Sequence, residues 1–336
     1  MVLTVKVKSK DTQKIKKVLI DKGIFNQGYK VKREKGFVYL PVLKRITKPK
    51  LEFADKKLDL IERKGSLQSI LAKDLTSKEL EAVPSAFDIV GDIAILEIKD
   101  EIKKHEKLVA QTLLKLHKNI KTVVKKASIH GGEFRTQKMK HLAGEQKKIA
   151  VHRESGVLIK LDVEKVYFSA RLSNERLRIA NLVTKREDVL VMFSGCAPYP
   201  LVIAKNSPAR HIVGIEKNPT GHKYALENLK LNKGIANKIE LFKGDVRKII
   251  PKLNRKFDRI VMPLPKSAED FLPDALKAAK KGAVIHLYDF LDEKNIPDAA
   301  IEKIRKHVHK FKVLKIVKCG QFSPSVYRIC VDFRLE

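Results

Sequence analysis

The chain contains no tryptophan and only three cysteines among its 336 residues. Cys196, Cys319 and Cys330 are odd in number and follow no paired metal-ligand spacing, so neither a disulfide framework nor a zinc site is expected. No apolar run approaches the ~20 residues a membrane helix needs. The N-terminus, MVLTVKVKSK, alternates apolar and basic residues as a surface strand does and lacks a signal-peptide core, so a cytoplasmic protein is expected. Acid is the scarcest resource: 39 Asp and Glu face 71 Lys and Arg, a formal net charge of +32. Heat-adapted surfaces are rich in lysine but balance it with glutamate. An excess of this size repels itself unless a polyanion is nearby, and nucleic acid is the expected partner.

What is present divides by pattern. Residues 1–64 read as a small module of strand, helix and further strands, with the helix closed at Gly23. It holds 19 Lys and Arg against 7 Asp and Glu, a distribution suited to neutralising a phosphate backbone. Residues 65–85, closed by Pro84, read as a helical linker. Residues 86–165 read as a middle RNA-binding domain: two short strands turning at Gly91-Asp92, a helix with apolar positions at Ile102, Val109 and Leu113, then strands with basic loops. From 166 to 336 strands and helices alternate, with strand candidates DVLVMF, HIVGIE, KIELFKGD, DRIVMPLP and GAVIHLYDF. Two long alternating runs around Ser323-Pro324-Ser325 then make a hairpin.

Five parallel strands followed by an antiparallel pair resemble the class I S-adenosylmethionine-dependent methyltransferase fold: a doubly wound, mostly parallel seven-stranded sheet, here with two smaller α+β domains ahead of it. Ligands of such sheets sit beyond the carboxyl ends of the strands. Three candidates stand there. Ser194 and Gly195 lie in the loop after the first strand. Glu216 closes the second, where a carboxylate can accept hydrogen bonds from ribose hydroxyls. Asp245 in KGDVR follows the third, placed to reach an adenine amino group. Competing structural roles are a helix-start charge for Glu216 and a turn residue for Asp245. The first loop, MFSGCAPYP, is short of glycine: Met192 stands where an acid is common, and Ala197 is expected to take a glycine position.

The segments GGEFRTQKMKHLAGE (131–145), VYFSARLSNERLRIA (166–180) and VMPLPKSAEDFL (261–272) resemble the archaeal and eukaryotic tRNA (guanine-37, N1)-methyltransferase family, and the likeness runs along essentially the whole chain. The resemblance implies a monomer that transfers the methyl group of S-adenosylmethionine to N1 of the guanosine 3′ of the anticodon. It implies Glu175 of SNER as general base and Arg135 of GEFR as the donor to the O6 oxyanion. Phe168 and Arg171 of FSARL, together with Pro263 and Leu264, fall beside the cofactor, and Tyr167 and Phe168 are candidates to stack on adenine or on an extruded guanine. Pro263 replaces an asparagine common in the family, so only backbone carbonyls of Pro263 and Leu264 are left to meet the base.

The chemistry suits these residue types. Guanine N1 carries a proton that must leave as the methyl arrives, a task for a base worth ~10²–10⁴ in rate, and the charge pushed onto O6 suits a guanidinium. Glu175 is equally placed to pair with Arg178 or Arg171, and Arg135 to grip phosphate. His141 of HLAGE is read as an RNA contact or a structural histidine; the five histidines between 105 and 152 do not have metal spacing. Alternatives of the same fold are a wyosine-pathway aminocarboxypropyl transferase, a bifunctional methyltransferase, and a non-catalytic RNA-binding module.

Overall fold

The computed structural model describes residues 1–26, 28–49, 51–59, 65–128 and 131–336, in two compact units, Met1–Ser66 and Leu67–Glu336. The expected boundary at residue 64, and His130, lie outside the described residues.

In the first unit β1 (Val2–Lys8) pairs with both β3 (Phe37–Pro41) and β4 (Glu52–Lys56), and β2 (Lys32–Glu34) flanks β3, all antiparallel. Alternation along β1 turns Val5 and Val7 inward, where Leu19 of α1 (Thr12–Asp21) covers them with Val38 and Leu40. Lysines therefore fall on the solvent faces.

The second unit opens with α2 (Leu67–Leu71) and α3 (Ser77–Ala82). Leu71, Leu75, Ala82 and Val83 are buried in one core with Leu96, Val109 and Leu113. The stretch 65–85 is thus part of the middle fold from residue 67 onward and not a linker; its polar faces disguise four buried apolar side chains. A capping box on Thr76 and Glu79 starts α3. The middle sheet runs β5 (Asp88–Val90), β6 (Ile93–Leu96), β7 (Thr122–Lys126), β8 (Met139–Gly144), with β6 and β7 parallel across the crossover helix α4 (Glu106–Leu116). The HLAGE segment ends β8: Gly144 has φ +84, and a Cβ there would collide with the carbonyl of Lys121. Glycine is the residue that allows this approach.

The hairpin β9 (Ile149–Glu154) and β10 (Val157–Asp162) docks on the large sheet domain. Asn228 and Asn232, one turn apart on and just beyond α7 (Pro219–Leu231), each hold a residue of β10 by both backbone groups: Asn228 holds Lys160 (2.7 and 3.0 Å) and Asn232 holds Leu158 (3.0 and 2.8 Å). The helix thereby offers β10 the partners a neighbouring strand would. The expected domain edge at 165 therefore separates a hairpin from the sheet domain on which it packs.

After α5 (Ser173–Leu182) come β11 (Asp188–Met192), α6 (Pro198–Asn206), β12 (His211–Glu216), then, beyond α7, α8 (Lys233–Ala236), β13 (Ile239–Lys243), α9 (Val246–Leu253), β14 (Phe257–Met262), α10 (Leu272–Ala278), β15 (Ala279–Asp292), α11 (Asp298–Arg305), β16 (Phe311–Ser323) and β17 (Val326–Leu335). The sheet order is β13-β12-β11-β14-β15-β17-β16, with β17 antiparallel between β15 and β16. Every residue of β11 is buried, as a parallel strand covered on both faces requires. Because β11 to β14 run parallel, the loops after them gather at one edge. That topology is the expected methyltransferase one, and no helix among the described residues is long and apolar enough to cross a membrane.

Candidate active site

A cavity of about 240 Å³ opens at that edge, lined by the loops after β11, β12, β13 and β14 and by Arg135 of the middle domain. The first loop keeps a glycine-like backbone with few glycines. Phe193, Gly195 and Ala197 have φ of +58, +57 and +67, so Ala197 does occupy a left-handed position. Ala197 N donates to Ser194 O at 2.9 Å and Leu201 N to Ala197 O at 3.0 Å, turning the strand directly into α6.

Glu216 is buried at the end of β12 and holds this loop: Gly195 N donates to Oε2 and Asn218 N to Oε1, each at 2.6 Å. Burial pushes its pKa up, while the amides of Asn218, Gly195 and Lys217 pull it back. A carboxylate has about four acceptor positions, so these amides still leave room for a hydroxyl donor. Asp245 caps α9, accepting from Arg247 N (2.9 Å) and from Lys217 Nζ (3.0 Å). Burial opposes its charge, yet the Arg247 amide and the Lys217 ammonium hold its pKa below the usual aspartate value. Lys217 also reaches Glu133 (2.5 Å), tying the GGEFR loop to the ends of β12 and β13.

S-adenosylmethionine fits this cavity. Ser194 Oγ is buried on the wall with no hydrogen-bond partner among the described residues. A Cβ on Gly195 would meet nothing nearer than the Tyr167 carbonyl at 3.9 Å, so backbone faces open space there. Glu216 and Asp245 supply acceptors at successive strand ends. Pro263, Leu264 and Phe168 line the same space; the guanidinium of Arg176 stands 5.1 Å from the Phe168 ring and is clamped by Glu154 at 2.5 and 2.6 Å.

Arg135, with φ +51, lines the cavity beside Tyr167, and burial lowers its pKa. The Tyr167 hydroxyl accepts from Arg328 Nη2 at 2.8 Å. Two expected site residues stand elsewhere. Arg171 is exposed on a short turn before α5 and pairs with Asp88 at 2.5 Å, away from the cavity. Glu175 is buried behind the wall: Arg178 grips both its oxygens (2.7 and 2.8 Å), and Tyr288 Oη donates to Oε1 at 2.6 Å. The anticipated pairing of Glu175 with Arg178 is thus present. His141 Nε2 donates within its own turn to Gly144 O at 3.2 Å.

Beyond Arg178 lie Asp332 and His286. Arg259 can only donate, so His286 Nε2 accepts from it (2.7 Å) and the ring's one proton sits on Nδ1, toward Asp332 (2.6 Å). His286, Cys330 and Asp332 lie close enough to suggest a metal cluster, but this bonding uses the only ring lone pair. Residues not anticipated from the sequence are Tyr199, which lines the cavity, and Tyr288, joined to it by a hydroxyl contact of 2.9 Å. The tyrosine in MFSGCAPYP was the one signal; Tyr288 gave none.

Residues 150–317 match the TRM5/TYW2 methyltransferase domain, residues 67–147 the TYW2 N-terminal domain and residues 4–50 the tRNA methyltransferase 5 N-terminal domain. The chain is 37% identical to the tRNA (guanine(37)-N(1))-methyltransferase Trm5b of Pyrococcus abyssi over all of both chains. It is 30% identical to the tRNA(Phe) (4-demethylwyosine(37)-C(7)) aminocarboxypropyltransferase of Pyrococcus horikoshii, over 81% of this chain and 97% of that one. A solved complex of aTrm5 and tRNALeu superposes with a TM-score of 0.74 at 31% identity, covering 99% of this chain and all of the other. Strand-end acceptors, the left-handed first loop and a match that spans half the chain in its sheet domain alone agree: the chain belongs to the TRM5/TYW2 methyltransferase family.

Proposed function

We propose that this protein transfers a methyl group from S-adenosylmethionine to N1 of guanosine-37 in tRNA, acting as a cytoplasmic monomer. The observation that carries the reading is one cavity lined both by the strand-end acceptors Glu216 and Asp245 and by Arg135 from the middle domain. The module matched at residues 4–50 favours it over aminocarboxypropyl transfer, since the full-length relative is a guanosine-37 methyltransferase and the aminocarboxypropyl relative spans less of the chain.

When bound, S-adenosylmethionine supplies an electrophilic methyl group on a sulfonium. Glu216 would take the ribose hydroxyls, Asp245 the adenine amine, and the Ser194-Gly195 backbone the amino-acid end. Arg135 donates to O6 as charge collects there, and its partial burial strengthens that interaction. Glu175 is the base on which the proton lost from N1 ends. Pro263 and Leu264 line the same cavity, and their backbone carbonyls would meet the base edge, because proline has no side-chain donor. The basic first unit holds the tRNA body through phosphate contacts.

The test is incubation with unmodified tRNA and methyl-labelled S-adenosylmethionine, followed by nucleoside digestion. Labelled 1-methylguanosine, lost when guanosine-37 is replaced, is expected. Methylthioadenosine in place of S-adenosylhomocysteine would overturn the reading and indicate aminocarboxypropyl transfer. Arg135→Ala and Glu175→Gln should each slow transfer by ~10²-fold or more; unchanged rates in both would remove the assigned mechanism.

A further inference from the structure

Glu175 does not line the cavity, yet a directed chain of hydroxyls joins it to the cavity wall. Tyr199 lines the cavity from α6. Its Oη donates to Tyr288 Oη at 2.9 Å, and Tyr288 Oη donates to Glu175 Oε1 at 2.6 Å. The order of donors is forced. An ionised carboxylate only accepts, so Tyr288 must give its proton toward Glu175. With that proton committed, Tyr288 must accept from Tyr199. Tyr199, committed in turn, has only lone pairs left for whatever enters the cavity, and guanine N1–H is a donor.

We propose that Tyr199, Tyr288 and Glu175 form the path along which the N1 proton leaves the target base, with Tyr199 Oη as the acceptor that touches the base and Glu175 as the final holder. The proposal rests on the N1-methylation reading above. Burial pushes the pKa of both tyrosines up, so neither persists as a phenolate and the protons must move together. The N1–H bond breaks as its proton passes to Tyr199 Oη. The Tyr199 proton moves to Tyr288, and the Tyr288 proton to Glu175. The electron pair released at N1 forms the N1–CH₃ bond, and the S–CH₃ pair leaves on sulfur as a neutral thioether. Both tyrosines end as they began; Glu175 ends neutral. Arg178 does not lose its counter-charge at that moment, because Asp332 also binds it, at 2.6 Å.

The arrangement explains how a base can work from behind the wall, and it makes Tyr199 a catalytic residue and Tyr288 a positioning one. The experiment compares wild type with Tyr199→Phe, Tyr288→Phe, Glu175→Gln and the Tyr199→Phe/Glu175→Gln double variant. Single-turnover transfer to guanosine-37 tRNA is measured, with cofactor and tRNA affinities taken separately. Each Phe variant should be slower by ~10²-fold with affinities within ~3-fold, and the double variant should be no more than ~3-fold slower than Glu175→Gln alone, as for residues acting in series. In wild type, rates across H₂O/D₂O mixtures should curve, because more than one proton is in flight; this needs no variant to fold. A Tyr199→Phe rate within ~3-fold of wild type, multiplicative losses in the double variant, or a linear isotope plot would each overturn the relay. Absence of 1-methylguanosine from wild type itself would overturn the activity first, and the relay with it.

Discussion

Arg178 binds Glu175 and Asp332 at once: Nε and Nη2 meet both oxygens of Glu175, while Nη1 and Nη2 meet those of Asp332 at 2.6 and 3.2 Å. Both carboxylates are buried. One guanidinium thus ties the helix that starts the sheet domain to the strand that nearly ends it.

Removing Arg178 therefore does more than delete one contact. Arg178→Ala leaves two buried carboxylates short of a cation, and a loss of roughly 3 kcal/mol or more in urea unfolding is expected. A loss under about 1 kcal/mol would show that the pair is solvated.

Acid should weaken the same network. Burial opposes the charge on Asp332, but His286 and Arg178 hold its pKa well below the ordinary aspartate value. A depressed folded pKa gives stability that is present above the unfolded pKa, about 3.9 for aspartate, and is lost as pH falls through the folded one. Unfolding curves of wild type should shift to lower denaturant below about pH 4, and Asp332→Asn should show a shallower acid arm.

Glu216 is perturbed in the other direction. Its pKa is raised by burial, and the ionised form is the one that accepts from ribose. Cofactor affinity should consequently fall on acidification from a pH above the usual glutamate value of about 4.3. Calorimetric titration across that range should show the decline in wild type and a flat, weaker profile in Glu216→Gln. A wild-type affinity that is constant down to about pH 4 would place the ribose elsewhere.

The HLAGE segment is a structural constraint before it is anything else. Gly144→Ala puts a Cβ into the Lys121 carbonyl and a side chain at φ +84. At least about 2 kcal/mol of stability should be lost, seen in thermal melts. Retained stability would mean that β7 and β8 can part locally.

These features differ in how far the sequence shows them. Glu216, Asp245 and Gly195 could be found because buried parallel strands announce themselves as short apolar runs, and the residues after such runs must share one edge. Arg171 could not be excluded from the site, since its partner Asp88 is 83 positions away. Glu175 was legible as a residue type in a family segment but not as a buried group, because Tyr288 and Asp332 come from strands 113 and 157 positions on, the latter reached through Arg178. The place of the helices at 67–82 in the core was hidden for another reason: at five and six residues they are too short for an apolar stripe to accumulate, so the stretch reads as a helical linker and only packing reveals its four buried side chains.

The MFSGCAPYP loop offers the sharpest test of whether sequence or backbone defines this site. Ala197 is fully buried and left-handed. A non-glycine residue in that conformation costs about 1–2 kcal/mol, which Ala197→Gly would relieve. The same change removes a buried methyl worth about 0.8 kcal/mol and adds unfolded-state entropy worth about 0.5–1 kcal/mol. The terms nearly cancel, so stability should stay within about 1 kcal/mol of wild type. Cofactor affinity should move little, because the backbone that faces the cavity already has the glycine conformation. Ala197→Val has no such compensation: a β-branched side chain at positive φ in a filled core should cost at least about 2 kcal/mol and lower cofactor affinity as the turn shifts. Chemical unfolding and cofactor titration of the two variants separate the cases. If Ala197→Gly instead raised cofactor affinity by ~10-fold or more, equivalent to about 1.4 kcal/mol, the alanine would be holding the loop away from its best binding shape. If both variants matched wild type, the left-handed turn would have no hold on the site.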